Sequence, residues 1–441
     1  MSKKNPRVLI VGVTFDETNG SGITMTNLFS KFSKDDLAVI VPNWNAHLSD
    51  FKKCPRVYQL GSQEVREIFP VNLFQKDIYS GPLDPKTTGA AKTISTGKFK
   101  KIKAALRRTA YQLLAIFGMN HIIHSTKESK KLAKWIDDFK PDVIYCQLAS
   151  VNMIRLFGKL AQKHNLPSII HTMDDWPSII NQPSLTYFYW RKTIDREFRK
   201  LINESSLFLS ISDEMREEYF KRYGKDSTAY HNPIDLDRWL PYTKQGWGIK
   251  GRCRIVYFGG INVLSNHIAI RDLARAVDRL NREGQKIDFD ICSFQSGDKI
   301  TEGLDKYRGV KLCKPLSHDK MPELLSSYDL CVIPLNLNRF TNVFAKLSMP
   351  TKASESMISG VPTIVYAANT TGLYRNAKKN GWAYTVGSRN QDELCTAIMK
   401  MVSDQQLRTT IAKTAVKYAK NKFDIKKVST DFKNRIASAV K

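Results

Sequence analysis

Arg254-Ile255-Val256-Tyr257-Phe258-Gly259-Gly260-Ile261-Asn262 is an apolar run that stops at two glycines. Arg7–Gly22 repeats the arrangement near the N-terminus: an apolar run to Val13, then Gly20-Ser21-Gly22 before a helix from about Ile23. Glycines between a strand and a helix let backbone amides approach a ligand, and a helix N-terminus favours negative charge. Neither turn carries the G-x-G-x-x-G fingerprint, which disfavours a nicotinamide dehydrogenase. Taken alone, each turn fits a plain connection as well as a binding loop.

Short runs rich in Val and Ile recur on both sides, separated by stretches of helical period. The first half holds Arg7–Val13, Leu37–Val41, Asp142–Gln147, Ser168–Thr172, Leu207–Ser212 and Thr228–His231. The second holds Arg254–Gly259, Ile287–Ser293, Gly309–Cys313, Leu330–Leu335, Thr363–Ala367 and Trp382–Val386. Several are apolar on both faces, as parallel strands covered by helices must be. Alternating strand and helix predicts an α/β, doubly wound fold, and two sets of six predict two Rossmann-like domains facing one cleft. The boundaries fall at 1–240 and 250–424, with Asp237–Gly251, rich in Gly and turn residues, as the linker and a final helix over 425–441.

The segment 61–136 interrupts this rhythm and contains no convincing buried strand. Within it, Lys98–Met119 reads as an amphipathic helix, with Lys98, Lys100, Lys101, Lys103, Arg107 and Arg108 crowding its first half. Two readings stand: a solvated helix packed on its domain, or an element lying on an anionic membrane, where each cation adds roughly 1 kcal/mol. The whole chain carries 69 basic against 42 acidic residues, a net charge of +27. That excess suits a polyanionic partner: nucleic acid, anionic lipid or phosphorylated substrates. No nucleic-acid-binding module accompanies it.

Seven cysteines lie scattered without a C-x-x-C pair, and Cys146, Cys292, Cys313 and Cys331 fall in apolar runs. They read as reduced core residues and point to a reducing compartment. The six apolar residues Val8–Val13 are too few for a signal-peptide core or a bilayer span. A protein that is soluble, or lies on a membrane without crossing it, is expected.

Three motifs carry candidate chemistry. His171-Thr172-Met173-Asp174-Asp175-Trp176 sits just past a strand's C-terminal end, where open α/β sheets place ligands; a helix cap with a core Trp is the alternative. Asp288-Phe289-Asp290 alternates within a strand and reads as edge or surface positions rather than a metal motif. In Met349–Pro362, Thr351 is an N-cap candidate, Lys352 stands beside a helix N-terminus suited to a diphosphate, and Glu355 is placed to accept ribose hydroxyls. A dipole-complementing Glu355 and a solvated Lys352 are the plainer reading.

The chain resembles the GT-B glycosyltransferases, specifically the retaining family-four group that builds bacterial surface glycans. The likeness runs in order through the glycine loop at 20–22, Lys140–Ile144, Leu209–Met215 with Tyr223-Gly224, and His231-Asn232-Pro233-Ile234-Asp235. It continues with Tyr257–Gly260, Tyr328–Pro334, Pro350-Thr351-Lys352, Glu355 and Gly360-Val361-Pro362. The resemblance implies that the final helix crosses back to the first domain and that no metal or other cofactor is needed, the nucleotide sugar being a substrate. It implies a donor site of Gly20, Gly22, Gly259, Gly260, Asn262, Arg339, Lys346, Thr351, Lys352 and Glu355. His171, Asp174 and Asp175 are then the catalytic candidates, and the cations of Lys98–Arg108 the membrane or acceptor contacts. Two departures stand out: Leu347 replaces a glutamate that the family often pairs with Glu355, and the 260–266 loop lacks the family's Arg and Lys.

The expected function is sugar transfer from a UDP- or GDP-sugar to a glycan or lipid-linked acceptor in capsule or lipopolysaccharide assembly. It is placed at the cytoplasmic face of an anionic membrane, without nucleic acid as partner. A GT-B nucleotide-sugar epimerase and a basic nucleic-acid-binding protein are the competing readings.

Overall fold

The computed structural model describes residues 5–16, 20–69, 71–75, 77–84, 109, 114, 116, 124–147, 150–178, 185–314 and 317–440. Lys98, Lys100, Lys101, Lys103, Arg107 and Arg108 lie outside the described residues. The chain divides into two compact units, Met1–Tyr230 with Ser429–Lys441, and His231–Val428.

The first unit contains, in chain order, β1 (Val8–Val11), β2 (Leu37–Pro42), β3 (Val57–Leu60), β4 (Val65–Glu67), β5 (Gly81–Leu83), β6 (His124–Thr126), β7 (Val143–Gln147), β8 (Ser168–Thr172), β9 (Leu207–Ser210) and β10 (Thr228–Ala229). Eight of them form one sheet in the order β10-β9-β8-β7-β1-β2-β3-β5. All neighbours are parallel except β5, which runs antiparallel to β3 at the edge. The six expected strands are all present. β3 was missed because Gln59 breaks a four-residue apolar run, and β5 because Pro82 marks it as something other than a strand. Proline is tolerated there only because an edge strand has a spare hydrogen-bonding side. Among its described residues, the stretch 61–136 contributes three strands of three residues, none buried along its whole length.

β1, β2 and β7 are buried at every position, so these strands need helices on both faces. The helices show clear local causes. In Asp213–Tyr223, Ser212 accepts the Met215 amide, Asp213 and Glu214 occupy the first turn, Lys221 and Arg222 the last, and Gly224 ends it at φ 75°. Each feature complements the dipole or satisfies an orphan backbone group. From the chain's final helix, Phe432 is fully buried in this unit, its ring 5.0 Å from Phe29, 5.3 Å from Tyr230 and 6.1 Å from Tyr145.

The second unit holds β11 (Cys253–Phe258), β12 (Ile287–Cys292), β13 (Val310–Cys313), β14 (Leu330–Pro334), β15 (Thr363–Tyr366) and β16 (Tyr384–Val386) in the all-parallel order β13-β12-β11-β14-β15-β16. Ile255 and Tyr257 of β11 enter the core on one face of the sheet, Val256 and Phe258 the core on the other. The cysteines are all free, and all but Cys313 are buried.

Two expectations are corrected here. Asp288 and Asp290 do not sit at an edge, since β12 lies between β13 and β11. Asp290 is buried there because it accepts the Tyr328 hydroxyl at 2.7 Å, whereas Asp288 stays partly exposed and pairs with Arg252 at 3.1 Å. Asp237–Gly251 is also no free linker: it belongs to the second unit and is packed there. Trp239 is 3% exposed, the Thr243 hydroxyl donates to the Ile358 carbonyl at 3.0 Å, and Trp247 Nε1 donates to the Gly360 carbonyl at 2.8 Å.

Candidate active site

In a doubly wound sheet, ligands bind beyond the strand C-termini where the strand order reverses. In the second unit that point lies between β11 and β14, so the loops after these strands frame it. The loop after β11 is held rigidly from beneath. Asn336, following β14 and fully buried, accepts the Ile268 and Ala269 amides at 2.8 and 3.0 Å and donates to the Val263 carbonyl at 3.0 Å. Thr341 donates to the Leu264 carbonyl at 2.6 Å. The amides of Ile261, Asn262 and Leu264 are each engaged by side-chain oxygens of Gln295, Asn266 and Asn262. Those three amides are therefore committed to the loop's own structure.

Charge reaches the loop from elsewhere. Lys352, at the start of the helix Lys352–Ile358, donates from Nζ to the Tyr257 hydroxyl at 2.9 Å and lies 4.2 Å from that ring's centroid. The same hydroxyl donates to the Gly260 carbonyl at 2.5 Å and accepts from Asn266 at 2.9 Å. Gly259 makes the approach possible. Its φ is +110°, and a Cβ there would stand 2.9 Å from the Lys352 nitrogen. Glu355 lies one turn further along the helix and is nine-tenths buried, at 8% exposure. Tyr257, Asn266, Asn336 and Thr341 were missed in the sequence. The one available signal was the uncharged 260–266 loop itself, which needs a cation supplied by another segment.

The remaining donor candidates are less closely drawn in. Thr351 occupies the N-cap position but with φ −52° and ψ −38°, and its side chain makes no capping bond. Capping needs an extended residue there, so the N-cap expectation is corrected. Arg339 is exposed at the first position of the helix Arg339–Phe344, and Lys346 is half-buried on the following segment. Leu347 is 1% exposed and offers a ligand no polar side-chain group.

In the first unit the order reverses between β1 and β7, and Gly20 begins the helix Gly20–Leu28 beside it. A Cβ on Gly22 would lie 2.5 Å from Asp16, so this glycine is required for packing. A polar chain, buried from Gln147 inward, crosses the reversal. Ser21 donates to Gln147 Oε1 at 3.0 Å, Gln147 Nε2 to the Tyr145 hydroxyl at 3.3 Å, and that hydroxyl meets His171 Nδ1 at 2.7 Å. His171 has no exposed surface, and burial lowers its pKa to about 4, partly opposed by the Ser210 and Tyr230 carbonyls. Asp175 is equally enclosed, accepting the Tyr219 hydroxyl and Arg222 Nη1 at 2.9 Å each. As folded, neither presents a face to a substrate, so both are corrected from catalytic to core residues. Asp174 alone of the three is partly exposed.

Solved structures share this fold. Anabaena HepE in complex with UDP and glucose matches at a TM-score of 0.60 and 14% identity, covering 98% of this chain and 100% of that one. Sucrose-phosphate synthase from Thermosynechococcus elongatus matches at 0.60 and 12%, covering 98% of each. A glycosyltransferase from Rickettsia africae matches at 0.57 and 11%, covering 99% of each. The family described as Glycosyl transferases group 1 matches residues 252–404, and Glycosyltransferase Family 4 matches residues 96–238. The chain is a GT-B glycosyltransferase of the family-four type. Tyr257, Lys352 and Glu355 of this glycosyltransferase all fall within the first of these matches. No curated protein sequence matches it significantly. Among the described residues, no helix is long and apolar enough to cross a membrane, and no group of three or more His, Cys, Asp or Glu is placed to hold a metal.

Proposed function

We propose that this glycosyltransferase takes its sugar from a UDP- or GDP-sugar held on the second unit. It passes the sugar, with retention, to a glycan or lipid-linked acceptor in cell-surface polysaccharide assembly. One observation carries the donor reading: the Lys352 ammonium is clamped on Tyr257 against Gly259, beside a loop whose Ile261, Asn262 and Leu264 amides are already engaged. As the bond from sugar to diphosphate breaks, negative charge collects on the leaving phosphate. A preorganised cation there stabilises that charge more than it stabilises the ground state. Glu355 takes the ribose hydroxyls, Asp174 bonds sugar or acceptor hydroxyls, and no divalent ion is assigned a part. HepE, solved with UDP-glucose, supports the donor class. The basic segment Lys98–Arg108 holds the enzyme on the cytoplasmic face of an anionic membrane.

A thermal-shift series with UDP- and GDP-sugars, with and without EDTA, tests this. A donor at about 100 times its Kd stabilises by roughly 2.7 kcal/mol, which moves the Tm of a domain this size by about 5–10 °C. The shift is expected to survive EDTA and to vanish in Lys352→Ala and Glu355→Ala. No shift with any nucleotide sugar refutes the reading.

A further inference from the structure

The helix Tyr187–Glu204 buries Trp190, Thr193, Ile194, Phe198, Leu201 and Ile202, a stripe at helical spacing that faces the core. Its outer side should then be polar, and at its N-terminal end it is not. Phe188 is 83% exposed, Tyr189 64%, and Leu185, just before the helix, 77%. Ile116, at 51%, joins them, its carbonyl accepting the Leu185 amide at 2.9 Å. One turn beyond Phe188 stand Arg191 and Lys192, both exposed. Arg191 donates to the Tyr187 hydroxyl at 3.1 Å, and neither cation enters an ion pair among the described residues. Further along the same helix, Arg199 and Lys200 are paired, with Asp195 and Glu204.

We propose that Leu185, Phe188, Tyr189 and Ile116 enter an anionic lipid surface, with Arg191 and Lys192 taking the headgroup phosphates. This rests on the peripheral-membrane reading above and adds to it an apolar contact on different residues. Charge selects the occupant. Residues 185–192 include two cations and no acid, and the chain carries +27. A second copy would bring the same cations against these, whereas an anionic bilayer neutralises them and buries the aromatic rings at its interface. Large amphipathic rings beside Lys and Arg are what such an interface accepts. Each large apolar side chain buried strengthens partitioning roughly tenfold or more, and each cation near anionic lipid several-fold.

The test is flotation of the full chain with vesicles of phosphatidylcholine alone or mixed with phosphatidylglycerol, at low and high salt. Three proteins are compared with wild type: Leu185→Ser/Phe188→Ser/Tyr189→Ser, Arg191→Gln/Lys192→Gln, and a variant with the six cations of Lys98–Arg108 changed to Gln. Unchanged melting temperature and far-ultraviolet circular dichroism establish that each is folded. The proposal expects wild type to float with anionic vesicles and the serine variant to bind roughly a thousandfold more weakly, with only salt-sensitive binding left. It expects the Arg191/Lys192 variant to bind anionic vesicles roughly ten- to thirtyfold more weakly, at about 1 kcal/mol per cation, with binding to phosphatidylcholine alone unchanged. If wild type floats and the serine variant floats equally well, this proposal fails while the basic-segment reading stands. If wild type binds no vesicle, both fail, and the sugar-transfer reading is untouched. A concentration-dependent dimer in sedimentation velocity, abolished by the serine substitutions, assigns the patch to a second copy and overturns the proposal.

Discussion

Replacing Tyr257 by phenylalanine removes one oxygen and keeps the ring. That oxygen accepts from Lys352 and from Asn266 at 2.9 Å each and donates to the Gly260 carbonyl at 2.5 Å. The Gly260 carbonyl keeps a second partner, Asn266 at 3.1 Å, and the Lys352 ammonium keeps its place over the ring. The loop should therefore hold its path while the lysine loses its fixed direction. Summing one charge-assisted and two neutral bonds gives a stability loss of about 2.5–6 kcal/mol. Re-ordering a long side chain each time the donor binds costs about 1–1.5 kcal/mol, which weakens donor binding roughly five- to fifteenfold. Calorimetric titration with the nucleotide sugar measures this, and steady-state kinetics should show KM raised and kcat lowered together. The decisive comparison is the double variant with Lys352→Ala. If Tyr257 acts by placing the lysine, adding Tyr257→Phe to Lys352→Ala changes donor affinity little, because the two residues are coupled. Wild-type affinity in Tyr257→Phe, or an undiminished loss on the Lys352→Ala background, refutes the clamp.

Stability should fall with pH in a definite window. His171 in the first unit is fully buried and His231 in the second nine-tenths buried, and burial lowers each pKa to about 4 from 6.5. The unfolded chain takes up these protons as pH drops through 6.5 and the folded units do not until about 4. The stability is thus fully present above 6.5 and is lost between 6.5 and 4, by about 1.4 kcal/mol per pH unit for each histidine. A Tm that stays flat between pH 7.5 and 4.5 contradicts this, and His171→Gln should flatten the first unit's share. Arg222→Met leaves the Asp175 carboxylate, at 0% exposure, without its cation and should destabilise the first unit by about 3–5 kcal/mol in urea titration. Adding Asp175→Asn should recover much of that loss; a double variant as unstable as the single one argues that packing, and not charge, is what the pair supplies.

Read from its residues alone, the chain discloses every strand of the second unit and six of the eight in the first unit's main sheet. The interior ones are buried on both faces, so their sequences are apolar whatever their neighbours. β3 escapes because polar Gln59, which bonds the Tyr79 carbonyl, interrupts its short apolar run, and β5 because at the edge Pro82 needs only one hydrogen-bonding side. Lys352 and Glu355 are legible because their spacing within one helix start is local. What tertiary structure alone decides is which polar groups are open. His171 looks like a strand-exit residue until Tyr145, 26 positions away, bonds it, with Phe432 from the far end of the chain packed on the Tyr145 ring. Asp175 looks free until Arg222 and Tyr219 close on it. The clamp on Lys352 joins residues 95 positions apart. Strand identity follows from the chemistry of neighbours in sequence, whereas burial and partner choice follow from neighbours in space, and only the folded chain brings those together.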